Sequence, residues 1–65
     1  PRILSNIGLS YLFAGLPNKA VAVYTTLVEV EPDYDLNHKL LNLAKRVASG
    51  QVESPKTEED IAKSI

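Results

Sequence analysis

The sequence predicts an all-α fold of three main helices and a shorter fourth one. Two observations predict it: large apolar residues recur at spacings of three and four along most of the chain, and glycine and proline divide that pattern into segments of helical length. Sixty-five residues, 45% of them hydrophobic, make one small domain. A chain of this size buries only about 60% of its unfolded surface, so its stability is marginal.

The first predicted helix covers residues 2–15. Gly15 can adopt the left-handed conformation that ends a helix, and Pro17 prevents simple continuation. Gly8 lies in the middle of the helix, where glycine costs roughly 0.8–1 kcal/mol relative to alanine. We expect another helix to pass close to Gly8, with the small Ala20 opposite. The apolar positions have the spacing of a helix face and are Ile3, Leu4, Ile7, Tyr11, Leu12 and Ala14.

The second predicted helix covers residues 18–31, with Asn18 as its N-cap and Pro32 as its stop. Its β-branched content would equally suit a strand. A helix is favoured because successive large residues are four, three and one positions apart, whereas a strand would require a strict spacing of two. Its apolar stripe consists of Ala20, Val21, Tyr24, Leu27 and Val28.

The third predicted helix covers residues 35–49, with Asp33 or Asp35 as its cap and Gly50 at its end. Its apolar side consists of Leu36, Leu40, Leu41, Leu43, Ala44, Val47 and Ala48.

A linker and a short amphipathic tail helix follow. The composition of residues 51–56, QVESPK, is typical of a linker. Residues 57–65 form the tail helix, with Thr57 as N-cap, Asp60 at the third helical position, and Ile61 and Ile65 four residues apart. A helix of this length is marginal in isolation. It is therefore either frayed or docked.

A motif spans the first two helices. The stretch LSNIGLSY at 4–11, followed by Ala20, Tyr24 and Pro32, resembles the tetratricopeptide repeat (TPR) pattern of W-x2-L-G-x2-Y, then A-x3-F, then P. Gly8, Tyr11, Ala20 and Pro32 match by identity, Leu4, Ile7 and Tyr24 are conservative replacements, and Leu27 departs from the usual small alanine. The resemblance implies one helix–turn–helix repeat over residues 1–34 and a capping helix over 35–50.

The resemblance also implies a concave surface lined by the first helix of each repeat. The corresponding positions are Arg2, Ser5, Asn6, Leu9, Leu12 and Phe13, and in the capping helix Leu36, Lys39, Leu40, Leu43, Arg46 and Val47. Seven of the twelve are apolar, although Leu4, Ile7, Tyr11, Leu41, Ala44 and Ala48 already provide a core stripe. Since helices that are apolar on two sides are buried on two sides, we expect this groove to be covered.

Three occupants of the groove are compatible with the sequence: an amphipathic helix of a partner, a second copy of the chain, or the chain's own tail around Ile61 and Ile65. The predicted binding residues are Leu9, Leu12, Phe13, Leu36, Lys39, Leu40, Leu43, Arg46 and Val47. With the first occupant, the chain is an interaction module without catalysis. As family members do, it would then act as an adaptor, a receptor for targeting peptides or a chaperone. The alternatives are a terminal structural repeat of a longer scaffold, with its groove filled internally, and self-association through the groove.

Other function classes have little support in the sequence. Seven basic and eight acidic residues give a net charge of −1, which offers no footprint for nucleic acid. The longest uncharged run, between Arg2 and Lys19, is too short and too polar for membrane insertion. No catalytic, metal or cofactor motif is present, and His38 is the only histidine. The chain begins at Pro1 and lacks methionine, so it has either lost an initiator methionine or been cut from a longer protein, and we expect the second. The sequence does not identify the compartment, and we expect a cytoplasmic one.

Overall fold

Four α-helices make up the chain in the computed structural model, which describes residues 2–65 apart from the Arg2 side chain. They are α1 (Arg2–Phe13), α2 (Pro17–Val30), α3 (Asp35–Ala48) and α4 (Glu58–Ser64). Within residues 2–65 there is no strand. The prediction of an all-α fold is confirmed, whereas the Arg2 side chain, predicted on the concave surface, lies outside the described part.

Glycine ends both α1 and α3, as predicted. Gly15 and Gly50 have φ angles of 74° and 83°, in the left-handed region. At the end of α1, the N–H of Gly15 donates to the Leu12 carbonyl at 3.1 Å, and the N–H of Leu16 donates to the Tyr11 carbonyl at 2.8 Å. This is the Schellman arrangement, which satisfies carbonyls that have no partner within the helix.

The starts of α2 and α3 differ from the predicted caps. α2 begins at Pro17, one residue before Asn18, and has no side-chain cap hydrogen bond. Proline suits the first helical position because its φ is preset and its missing N–H would have no helical partner there. α3 begins at Asp35 after Tyr34, again without a side-chain cap. Asp35 therefore lies inside the first turn, where its negative charge is favourable, and Asp33 lies outside the helix.

A single apolar cluster holds the helices together. α2 packs against both α1 and α3, and the Cα radius of gyration is 10.4 Å, close to the value of about 10.7 Å for a compact chain of this length. All four helices contribute to the cluster, which consists of Leu12, Ala20, Tyr24, Leu27, Leu40, Leu43, Ala44, Val47 and Ile61.

Gly8 marks a close approach of α1 and α2, but its neighbour is Tyr24 and not Ala20. A Cβ atom added to Gly8 would lie 2.7 Å from Cζ of Tyr24 and 3.0 Å from its hydroxyl oxygen. Ala20 is also buried, yet it provides none of the three nearest atoms. The glycine therefore makes room for the end of an aromatic ring, and the expected pairing with Ala20 is corrected.

The stripes that face the core are also different from the predicted ones. Ile7 is 41% exposed and Ala48 is exposed, although both were expected in the core. In α3 the buried apolar stripe is Leu40, Leu43, Ala44 and Val47, with Asn37 buried beside it. Of the other predicted core positions, Leu4, Tyr11 and Leu41 are half-buried. With one core available, each helix can turn only one of its sides towards it.

Candidate partner-binding site

The predicted groove residues divide into a buried and an accessible set. Leu12, Leu40, Leu43 and Val47 belong to the core, so their side chains are not available at the surface in this conformation. Leu9 is half-buried, and the accessible members of the set are Phe13, Leu36, Lys39 and Arg46. Phe13 and Leu36 are 37% and 38% exposed.

Helix α4 covers part of the predicted groove. Its Ile61 side chain is only 7% exposed and belongs to the same apolar cluster as Leu12, Leu43 and Val47. In addition, a guanidinium N–H of Arg46 on α3 donates to the carbonyl oxygen of Ser64 at 3.1 Å. The chain's own tail is therefore docked against α3, and Ile61 is buried in the cluster that includes four predicted groove residues, Leu12, Leu40, Leu43 and Val47.

Two side-chain hydrogen bonds define the start of α4. The Thr57 hydroxyl accepts from the N–H of Asp60 at 3.1 Å, which confirms Thr57 as the N-cap. The Asp60 carboxylate accepts from the N–H of Lys56 at 3.1 Å. The pKa of Asp60 is lowered, mainly by this hydrogen bond from the Lys56 backbone. The hydrogen bonds from Thr57 and the positive charge of Lys63 make smaller contributions.

The segment that leads into α4 is attached to the core. Pro55 is buried, and Val52 is packed against the apolar cluster. Residues 51–56 therefore have linker composition but anchored apolar side chains. This attachment limits how far α4 can move away from α3 while the core remains intact.

The buried hydroxyl of Tyr24 is not among the features predicted from the sequence. It is the only buried side-chain polar atom among the described residues without a hydrogen-bond partner. Burial raises the pKa of Tyr24 from 10.0 to about 12, because the charged phenolate would lose its solvation. One feature of the sequence could have indicated it. The TPR pattern has phenylalanine, which carries no hydroxyl, where this chain has Tyr24.

Two exposed basic side chains near the site lie on α3. Lys39 and Arg46 are exposed on α3, whereas residues 3–18 contain no charged side chain. Lys19 lies with its ammonium 5.8 Å from the centre of the Tyr11 ring, at the start of α2. A ligand of the groove would therefore meet apolar surface with the basic groups of Lys39 and Arg46 on the α3 side.

No protein-family model, curated protein or solved structure matches this chain. The likeness to the TPR pattern therefore depends on the residues and spacings given above and stays a prediction. Among residues 2–65, no helix combines the length and apolar character that crossing a membrane requires. The same residues contain no group of three or more histidine, cysteine, aspartate or glutamate side chains placed to hold a metal ion.

Proposed function

We propose that this chain is a non-catalytic protein–protein interaction module whose surface between α1 and α3 binds an amphipathic helix. We further propose that α1 and α2 form a TPR-like hairpin and that α3 acts as its cap. The spacing of Gly8, Tyr11, Ala20 and Pro32 supports this arrangement, as does the close approach of α1 and α2 at Gly8.

The observation that supports the proposal most strongly is the position of α4. This short amphipathic helix buries Ile61 in the apolar cluster and leaves its acidic first turn exposed. It thus represents, within the chain, the kind of ligand that the groove would take from a partner. Recognition of this type uses apolar anchors spaced along one helix face.

The attachment of α4 is weak enough to be replaced. Ile61 is its one buried residue, and burying a side chain of this size contributes about 1.5–3 kcal/mol. Ile65 remains 40% exposed, and a seven-residue helix has little stability of its own. A partner helix with two or three apolar anchors would therefore bind more strongly. Acidic residues on its rim would meet Lys39 and Arg46 and add mainly orientation and association rate.

A structural role is the second candidate. The burial of Pro55 and the packing of Val52 favour it, because they attach the tail to the core before α4 begins. In that case the tail would close the end of a helical scaffold permanently, and no partner helix would enter.

Binding of the tail in trans tests the proposal. A labelled peptide of residues 51–65 is added to the full chain that carries Ile61→Ser, which removes the anchor of its own α4. We expect the peptide to bind this variant more tightly than it binds the parent chain, where the groove is occupied. Methyl NMR shifts at Leu12, Leu43 and Val47 locate the binding surface.

Two controls complete the experiment. A peptide that carries Ile61→Ser should not bind, and the chain with Ile65→Ser should behave like the parent, because Ile65 is not part of the buried apolar cluster. If the variant chain stays helical and the peptide of residues 51–65 still fails to bind, the groove is not a helix-binding site. If Ile61→Ser unfolds the whole chain, the structural role is the correct one.

A further inference from the structure

The outer face of α1 is an uncharged apolar surface that faces away from the core. We define it as Ile3, Ile7, Ser10 and Ala14, all of which are exposed, with Ile3 at 78% and Ile7 at 41%. Their spacings of four, three and four residues place them in one line along the helix. The strip therefore carries two large apolar side chains, Ile3 and Ile7, and two small ones, Ser10 and Ala14, at the heptad spacing of a paired helix.

The polar groups of α1 leave this surface available. No charged residue occurs between Ile3 and Asn18, so the face itself carries no charge; the nearest described cation in the sequence, Lys19, lies over the Tyr11 ring at 5.8 Å. The Ser10 hydroxyl donates to the carbonyl of Asn6 within the helix at 3.0 Å. Covering Ser10 would therefore not leave its donor without a partner, and the desolvation cost would be small.

The size pattern of the outer face is complementary to itself. In an antiparallel pair of α1 helices related by a two-fold axis, Ile3 lies opposite Ala14 of the other copy, and Ile7 lies opposite Ser10. Each large side chain then meets a small one, which lets the two surfaces interdigitate. A parallel pair would instead place isoleucine against isoleucine and leave space beside the small residues. Antiparallel orientation also aligns the two helix dipoles favourably.

We propose that the outer face of α1 binds a second copy of this chain, forming a symmetric dimer with antiparallel α1 helices. This surface lies on the side of α1 opposite the buried Gly8 and Leu12. Dimer formation would therefore leave α3 and α4 unchanged. An interface built from one short helix is small, so the dissociation constant should lie between about 10 μM and 1 mM.

Sedimentation equilibrium of the full chain and three double variants tests this proposal. Ile7→Glu with Ser10→Glu places like charges opposite each other and should raise the dissociation constant at least about tenfold. Ile7→Lys with Ser10→Glu places the introduced lysine opposite the introduced glutamate of the other copy only in the antiparallel pair. It should associate at least about tenfold more tightly than the double-glutamate variant. The control is Ala22→Glu with Thr26→Glu on the exposed side of α2, which should stay within about twofold of the parent.

Three results would overturn the proposal. The first is a parent chain that remains monomeric at about 1 mM, the weakest association expected for an interface of this size. The second is a double-glutamate variant that associates as tightly as the parent, which would place the contact elsewhere, including on the groove. The third is equal association of the lysine–glutamate and double-glutamate variants, which would exclude the antiparallel pair. Circular dichroism establishes that each variant is folded, and Ser10→Glu alone replaces any double variant that is not.

Discussion

Gly8 is the residue at which a single methyl group should disturb the packing of α1 on α2. A Cβ there would lie 2.7 Å from Cζ of the fully buried Tyr24 ring, closer than two carbon atoms can approach without movement. Overpacking of this kind costs typically about 1–3 kcal/mol, which exceeds the gain of up to about 1 kcal/mol in helix propensity. We therefore expect Gly8→Ala to lower the free energy of unfolding, measured by urea denaturation.

Two variants distinguish a local clash from a general effect on α1. Ser10→Ala alters an exposed position of the same helix and should change the stability by less than about 0.5 kcal/mol. Tyr24→Leu removes the atoms that Gly8→Ala would meet, so the two changes should be strongly non-additive. A Gly8→Ala chain more stable than the parent would show that glycine is not needed for packing.

Tyr24 itself should be replaceable by phenylalanine at neutral pH. Its hydroxyl is buried without a hydrogen-bond partner in the described residues, and such a group costs about 1–3 kcal/mol. Tyr24→Phe keeps the ring and removes that cost, so we expect equal or higher stability at pH 7 by urea denaturation. A clear loss of stability would mean that the hydroxyl makes a stabilising contact after all.

The same substitution should change the response to alkaline pH. The pKa of Tyr24 is about 12 in the folded chain against 10.0 when unfolded, so the folded state holds its proton more tightly. Stability is therefore unaffected below pH 10 and falls as pH rises from 10 to 12, by up to about 2.7 kcal/mol at about 1.4 kcal/mol per pKa unit. The Tyr24→Phe chain should lack this part of the decrease in stability at alkaline pH. Identical pH profiles of the two chains would contradict the assignment.

At the scale of single elements, helix α4 should respond to acid more than the rest of the chain. The pKa of Asp60 is lowered in the folded state, so the contribution of its carboxylate to the stability of α4 is present above the unfolded pKa of 3.8. It is lost as pH falls below that value through the folded pKa. We expect amide protection in α4 to decrease in this acid range and Asp60→Asn to reduce the protection already at neutral pH.

The control for this prediction lies in the same turn of α4. Glu58→Gln removes one negative charge but keeps the hydrogen bonds of Asp60 with Lys56 and Thr57. It should therefore retain the acid response. If Glu58→Gln and Asp60→Asn behave alike, net charge near the helix start and not the hydrogen-bonded carboxylate determines the stability of α4.

The helices and their glycine ends could be predicted because they depend on local sequence. Spacing of apolar residues identifies a helix, and Gly15 and Gly50 supply the left-handed backbone that ends one. The caps at Asn18 and Asp33 or Asp35 were wrong because proline and an acidic first turn provide alternative starts.

The orientation of the helices could not be predicted in the same way. Helix α3 carries two overlapping apolar stripes, one through Leu40 and Val47 and the other through Leu41 and Ala48. Periodicity alone does not say which stripe faces the core. That choice depends on what each stripe meets, including Ile61 from the far end of the chain. As a result, Leu40 and Leu43, which were predicted to line the groove, lie in the core, whereas Ala48, which was predicted in the core, is exposed.

At the scale of the whole molecule, two apolar surfaces differ in their exposure to solvent. The apolar cluster that contains Leu12, Leu43 and Val47 also buries Ile61 of α4, whereas Ile3 and Ile7 on the outer face of α1 are exposed. Charged side chains are absent from residues 3–18 and distributed over α2, α3 and the tail. We therefore assign partner-helix binding to the first surface and self-association to the second, as independent proposals.

The central claim is that α4 can leave its site while the remaining helices stay folded. Native-state hydrogen exchange at increasing urea concentration measures this most directly. The probes are the amide of Ile61, which donates to the Thr57 carbonyl at 3.3 Å, and the amides of Tyr24 and Leu27 in α2. We predict that Ile61 exchanges through a low-energy opening with little dependence on urea, whereas the α2 amides exchange only with global unfolding. Equal opening free energies and equal urea dependence at all these amides would contradict the claim, because α4 would then be an inseparable part of the core.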